Sequence, residues 1–263
     1  MKWPLLPKQA FPKRVIKVMN SFITALQLLT IFPVKTSGGN AGKDFSRSLA
    51  YFPLAGFVIG FSCAVLNFIA GRFLPDAVWS ILLVIFMAIM TGGIHLDGLA
   101  DSFDGFASSQ ASDKILDIMK DSRIGTMGVI ALFADLAVKS ALIFSFPPHL
   151  RGLSLILACT VSRWSMVLPM TFFRYARTEG KARIFLENAS VSNMVISTLI
   201  TLLIALFFCK WKGLYLLGAA GAVSYITATY VNSRIQGITG DTLGAINELV
   251  ELASLTVLYF IFR

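Results

Sequence analysis

The sequence predicts an all-α polytopic membrane bundle of roughly seven spans, led by a short N-terminal helix that lies at the membrane surface or re-enters it. Three observations lead there. Hydrophobic residues make up 56% of the 263 and charged residues only 14%, with a mean hydropathy of +0.74, whereas about a quarter of a soluble domain is charged. Apolar runs recur near the length of about 20 residues that a helix rising 1.5 Å per residue needs to cross roughly 30 Å of hydrocarbon. The basic residues, 23 against 14 acidic, gather in alternate intervals between those runs.

The first apolar stretch, 22–33, is too short to cross alone and follows a basic segment, 1–21, which predicts an interfacial or re-entrant helix. No small-residue cleavage site follows it, so a cleaved signal peptide is not expected. The spans are predicted at 49–70, 77–94, 126–146, 152–173, 194–209, 213–231 and 249–262. With the N-terminus inside, sixteen of the Lys and Arg residues fall in inside segments and five outside, while Lys139 and Arg163 lie within spans. That is the positive-inside bias of a prokaryotic cytoplasmic (inner) membrane, and it explains the basic excess with no nucleic acid partner. One integral-membrane domain, 1–263, is expected, with an acidic segment, 92–125, on the cytoplasmic side. Cys63, Cys159 and Cys209 sit in apolar runs without a CxxC pair, which indicates neither a disulfide framework nor a thiolate zinc site.

Acidic residues are expensive in a membrane protein, so those crowded at span ends carry the functional information. Asp97, Asp101 and Asp104 stand at i, i+4 and i+7, on a narrow face of one helix. A single aspartate serves as a helix cap; three on one face exceed what a cap needs. Their mutual repulsion calls for a cation, and hard oxygen ligands suit Mg²⁺, or Mn²⁺, which completes its shell with water and substrate phosphates. Phosphate is therefore the expected substrate class. His95, just upstream, is a candidate general base or hydrogen-bond partner. Downstream, Asp113 and Asp117 interleave with apolar residues as on an amphipathic surface helix. Lys120, Asp121, Ser122 and Arg123 then form a candidate phosphate grip, with membrane anchoring as the alternative use of the two cations.

A second polar cluster spans 237–251, where Asp241 and Glu248 share a face with Asn247 and Glu251 nearby. It is read either as completing the site, with Glu248 on the metal and Asp241 and Asn247 on substrate, or as interfacial polarity. Asp135 and Lys139 at i, i+4 predict a self-neutralising pair. Arg163 is free to snorkel or to reach an anionic substrate, and the loop holding Arg174, Arg177, Lys181 and Arg183 is explained by topology. His149 lies in an outside turn and is expected to be inert.

These residues resemble the cobalamin synthase family, the adenosylcobinamide-GDP ribazoletransferases. The resemblance rests on Gly92-Gly93-Ile94-His95-Leu96-Asp97-Gly98-Leu99-Ala100-Asp101-Ser102-Phe103-Asp104-Gly105 and Met119-Lys120-Asp121-Ser122-Arg123-Ile124-Gly125-Thr126. Shorter landmarks run from Thr30-Ile31-Phe32-Pro33-Val34 through Tyr51-Phe52-Pro53-Leu54-Ala55-Gly56, Val161-Ser162-Arg163 and Tyr175-Ala176-Arg177 to Gly240-Asp241-Thr242-Leu243-Gly244. It implies a transferase that joins α-ribazole, or its 5′-phosphate, to adenosylcobinamide-GDP and releases GMP. In that reading Asp97, Asp101 and Asp104 hold Mg²⁺, Lys120 and Arg123 steady the leaving GMP, and His95 or an aspartate takes the hydroxyl proton. The lipid bilayer is an expected partner, as are other enzymes of B12 synthesis or a second copy of the chain.

Two competing readings are a CDP-alcohol phosphatidyltransferase-like enzyme and an ion-coupled membrane transporter. The first expects an Arg after Asp97-Gly98-Leu99-Ala100, where this chain has Asp101. The second expects carboxylates at the midplane in paired broken helices, and the acidic residues here cluster at span ends.

Overall fold

The computed structural model describes residues 13–33, 41–108, 110–177 and 189–263. Among them every regular element is helical. They are α1 (Lys13–Leu29), α2 (Ala41–Ser48), a 3₁₀ turn (Leu49–Tyr51), α3 (Phe52–Ala70), α4 (Asp76–Met90), α5 (Ile94–Ala107), α6 (Ser112–Ile118), α7 (Thr126–Ser145) and α8 (Pro148–Phe172). After these come α9 (Val191–Cys209), α10 (Gly213–Ile235) and α11 (Gly240–Phe262).

Five apolar stretches are long enough to cross a membrane, or six if α4 and α5 are taken together as one broken span. The expected seven differ from this at the second span, and the count of five takes Val191–Ile235 as a single stretch. The predicted span 77–94 is α4, only 15 residues long, which stops at Met90 and meets α5 at an angle of 92°. Gly92 and Gly93 make that bend with φ of 63° and 70°, the left-handed region that glycine enters without a Cβ clash. Past the bend, α5 lies across the end of the bundle. The predicted spans 194–209 and 213–231 are α9 and α10: a turn at Lys210–Lys212 divides the apolar stretch Val191–Ile235 where the sequence predicts the break. Thr198 of α9 accepts a hydrogen bond from the Trp164 indole at 2.9 Å, and Gly221 of α10 abuts the same ring, so the two helices stand side by side as a hairpin.

The N-terminal helix begins at Lys13, earlier than the apolar stretch 22–33 alone implied. It buries Ala25 and Leu29 and leaves Val15, Val18 and Met19 outside, the one-sided pattern of an amphipathic helix. The backbone of Ile31 then bonds the Met90 carbonyl at 2.9 Å, tying its end to the bend. Residues 1–12, 34–40, 109 and 178–188, which include Val34, Lys181 and Arg183, lie outside the described residues.

The central post is α8. Its apolar window is 89% buried within the protein, against 28% for Thr126–Ser145 and 17% for Val191–Ile235, so those two regions face lipid while α8 is sheathed. Exposed Phe68, Phe133, Phe207 and Phe260 belong to that lipid-facing surface. Gly56 and Gly60 of α3, four residues apart, let its backbone lie against the Ile156–Thr160 backbone of α8, the close approach that small residues permit where lipid and side chains are equally apolar.

A second close crossing positions the polar end. Gly98 of α5 meets the backbone of Asp241, and Gly244 of α11 meets the backbone of His95. A methyl group on Gly98 would stand 2.5 Å from the Asp241 carbonyl oxygen, and backbone cannot rotate away as a side chain can. Gly98→Ala should therefore cost about 1–3 kcal/mol as overpacking. Thermal unfolding in detergent measures it, and a melting temperature equal to that of the parent chain would mean that the crossing is loose.

Candidate active site

The first turn of α5 presents Asp97 outward at the bend, and Asp101 follows one turn later. Both line a cavity of about 930 Å³, together with Gly92, Gly93, Lys120, Asp121 and Ser122. Among the described residues neither carboxylate accepts a hydrogen bond or joins an ion pair. Burial, followed by the charges of Asp97 and Asp241, raises the Asp101 carboxyl to about 6. Unpaired negative charge in a half-enclosed cavity is the condition that a cation relieves.

Asp104, the third residue of the row, stands elsewhere. Its carboxylate accepts the backbone N–H groups of Gly125 at 2.7 Å and Gly128 at 2.8 Å. It thus satisfies the unpaired amides of the first turn of α7 and complements that helix's positive end. A side chain at either glycine would collide with this carboxylate. The two sequence blocks, 92–105 and 119–126, are stapled together here, which brings Lys120–Ser122 to the cavity of Asp97 and Asp101. Asp104 is spent on that staple and is not a lining residue of the cavity.

Arg123 also differs from expectation. Its side chain is 88% exposed and grips Asp121 through Nη2 at 2.6 Å and Nε at 3.0 Å. The guanidinium holds the Asp121 carboxyl down at about 2. Lys120, Asp121, Ser122 and Ile124 line the cavity, and Arg123 does not. The helix α6 is amphipathic as predicted, with Ile115 buried and Asp113 and Asp117 in solvent.

The polar residues inside the bundle form a separate cluster. Lys139 is shared by Asp135 at 3.0 Å, Glu251 at 3.2 Å and Glu248 in direct contact. Arg163, 1% exposed, pairs with the other oxygen of Glu251. Asn247 donates to Glu248 at 3.0 Å. The predicted Asp135–Lys139 pair is thus one edge of a five-residue ionic core drawn from α7, α8 and α11. Glu248, Asn247 and Arg163, expected on metal or substrate, are buried partners in this core because each charge must find its counter-charge away from water. A void of about 20 Å³ beside Lys139, Arg163, Glu248 and Glu251 has room for about one water. The imidazole of His95 is buried and turned toward this core, with Nδ1 3.9 Å from Glu248, beyond hydrogen-bonding reach.

Asp241 lies on the other side of α5, at the start of α11. Thr239 caps that helix, exchanging bonds with Thr242, as in a capping box. Arg177 reaches Asp241 at 2.8 Å. Its segment is held by a short bridge in which Ala176 donates to Ile238 and Ile238 donates to Arg174, each at 2.9 Å. The loop reading missed this role of Arg177; its only sign was the Tyr175-Ala176-Arg177 landmark.

No three His, Cys, Asp or Glu side chains among the described residues come together as a metal-binding group. Mg²⁺ needs no such group, since it takes one or two carboxylates and fills its shell with water and phosphate oxygens. Asp97 and Asp101 are the pair that fits.

The family model described as cobalamin-5-phosphate synthase matches residues 21–259. A Clostridium botulinum (strain Okra) protein named adenosylcobinamide-GDP ribazoletransferase is 34% identical over 246 residues, covering 93% of this chain and 99% of its own. Proteins of the same name from Desulforamulus reducens and Acetivibrio thermocellus are 34% and 33% identical, covering 89% and 94% of this chain and 94% and 100% of their own. No solved structure matches.

Proposed function

The chain belongs to the cobalamin-5-phosphate synthase family, and from that premise we propose that it joins α-ribazole, or its 5′-phosphate, to adenosylcobinamide-GDP with release of GMP. Two unpaired carboxylates beside Lys120 in one cavity carry the reading at the level of chemistry. A ribose hydroxyl of α-ribazole that is still free in its 5′-phosphate forms a bond to the phosphorus attached to cobinamide. The bond from that phosphorus to the oxygen bridging to GMP breaks, and GMP leaves with the electron pair. The hydroxyl proton passes to the Asp97–Asp101 pair, the unpaired acceptors of the cavity among the described residues; His95 faces the ionic core instead.

Asp97 and Asp101 would hold Mg²⁺, or Mn²⁺ in its place. When bound, the ion supplies charge neutralisation on the pyrophosphate and the departing oxygen. Lys120 adds a point charge for phosphate oxygens, and Ser122 a hydroxyl donor. The basic-residue asymmetry supports the reading that the N-terminus and this cavity lie on the cytoplasmic side of a prokaryotic inner membrane.

The test is GMP release by detergent-purified protein given adenosylcobinamide-GDP and α-ribazole, with Mg²⁺ or with EDTA. Release that needs both α-ribazole and the metal, matched by a corrinoid product, is expected. A folded preparation that releases no GMP would overturn the reading and direct attention to CDP-alcohol substrates.

A further inference from the structure

A second cavity, of about 390 Å³, opens on the α8–α11 side of α5 and shares Leu28, Ile94 and Asp97 with the larger one. Its character is different. Phe52, Met166, Met170 and Tyr175 form apolar walls, Met166 and Met170 being 2% and 6% exposed at the cytoplasm-directed end of α8. The Arg177–Asp241 pair stands among them, and the Nε of Arg177 is buried with no hydrogen-bond partner. A flat apolar group has a place against the sulfurs and rings, and a hydroxylated or anionic group has one on the ion pair.

Resting on the transferase reading, we propose that this smaller cavity is the α-ribazole subsite. The benzimidazole lies between Met166, Met170, Phe52 and Tyr175, and Asp241 and Arg177 hold the ribose and, in the phosphorylated substrate, its phosphate. The corrinoid nucleotide takes the polar cavity. Size decides between the two substrates, because a single nucleoside suits the lower end of the roughly 300–1,000 Å³ range of small-molecule sites and a corrinoid nucleotide does not. The junction also suits the chemistry. In-line displacement needs the attacking and leaving oxygens on opposite sides of the phosphorus, and the two cavities approach Asp97 from the α8–α11 side and from the α7 side. Asp241 and Arg177 are binding residues in this scheme, and Met166 and Met170 set the width that the base must fit.

Two measurements test it. Met170→Trp narrows the smaller cavity and should raise the KM for α-ribazole by about tenfold or more, leaving the KM for adenosylcobinamide-GDP essentially unchanged. A rise confined to the corrinoid substrate, or equal rises for both, would overturn the assignment while leaving the transferase reading intact. The second uses the unaltered protein: an aryl-azide analogue of α-ribazole, photolysed with the enzyme and adenosylcobinamide-GDP, should label peptides containing Met166–Arg177 or Gly240–Gly244. Excess α-ribazole should suppress that labelling. Label on Lys120–Ile124, or none that α-ribazole suppresses in a preparation releasing GMP, places the nucleoside elsewhere and refutes the proposal. Absence of GMP release by the unaltered protein would instead remove the reading on which it rests.

Discussion

Asp97→Asn should lower turnover by roughly 10²–10³-fold at saturating Mg²⁺ while leaving the unfolding temperature unchanged. The asparagine keeps the size of the side chain and removes its charge. Asp97 is exposed at the bend and has no hydrogen-bond or ion-pair partner among the described residues, so the fold loses nothing that it uses. What is lost is the anion at the junction of the two cavities, the position from which a cation would serve the reacting phosphate. Steady-state GMP release over a Mg²⁺ titration measures the effect. Turnover near that of the parent chain would mean that Asp97 holds no metal and takes no proton, and that the acidic row works through Asp101 alone.

Lys139→Met should have an effect of the opposite kind, about 3–5 kcal/mol of stability. Methionine matches the lysine stem in length and polarisability, so packing is nearly preserved and the missing ammonium is the main change. Asp135, Glu248 and Glu251 all face that ammonium. Without it, Arg163 alone remains to balance three carboxylates buried inside the bundle. The expected result in detergent is a marked fall in unfolding temperature or loss of the monodisperse species. Adding Glu248→Gln to Lys139→Met should recover part of it, since one uncompensated charge is then removed. If the single variant melts with the parent chain, the carboxylates are held neutral by other means and the lysine is dispensable.

The site was legible where the sequence departs from a membrane pattern and illegible where one residue type serves two uses. An acidic row at a span end announces itself, and Asp97 and Asp101 stand in one cavity with Lys120–Ser122. Asp104 belongs to the same row, yet whether a carboxylate lines a cavity or caps a helix depends on where α7 begins in space, and spacing along α5 carries no record of that. Glu248 and Arg163 looked like site residues because charges at span ends and inside spans are usually functional; their counter-charges come from helices far apart in the chain. Arg177 was hidden in a basic loop that topology already explained. The bend that shortens the second span did have a local signal in Gly92-Gly93, as did the α3–α8 contact in Gly56 and Gly60. The all-α class and the apolar stretches follow from composition and run length, and so does the turn that folds Val191–Ile235 into two helices, because Lys210-Trp211-Lys212 interrupts the apolar run there.

The crossing of Gly98 with Asp241 and Gly244 with His95 has a consequence for biosynthesis of the protein itself. A nascent chain emerges and inserts from its N-terminus, so α5, with every aspartate of its row, enters the membrane long before α11 exists. Until then the Gly98 face of α5 has no backbone to rest on, and Asp241 is not yet there to face Arg177. A chain interrupted before Gly240 would carry the acidic row and most of the apolar stretches and still lack an assembled site. Addition of α11 is thus the expected step that assembles the site, and products truncated before it are expected to be inert in the bilayer.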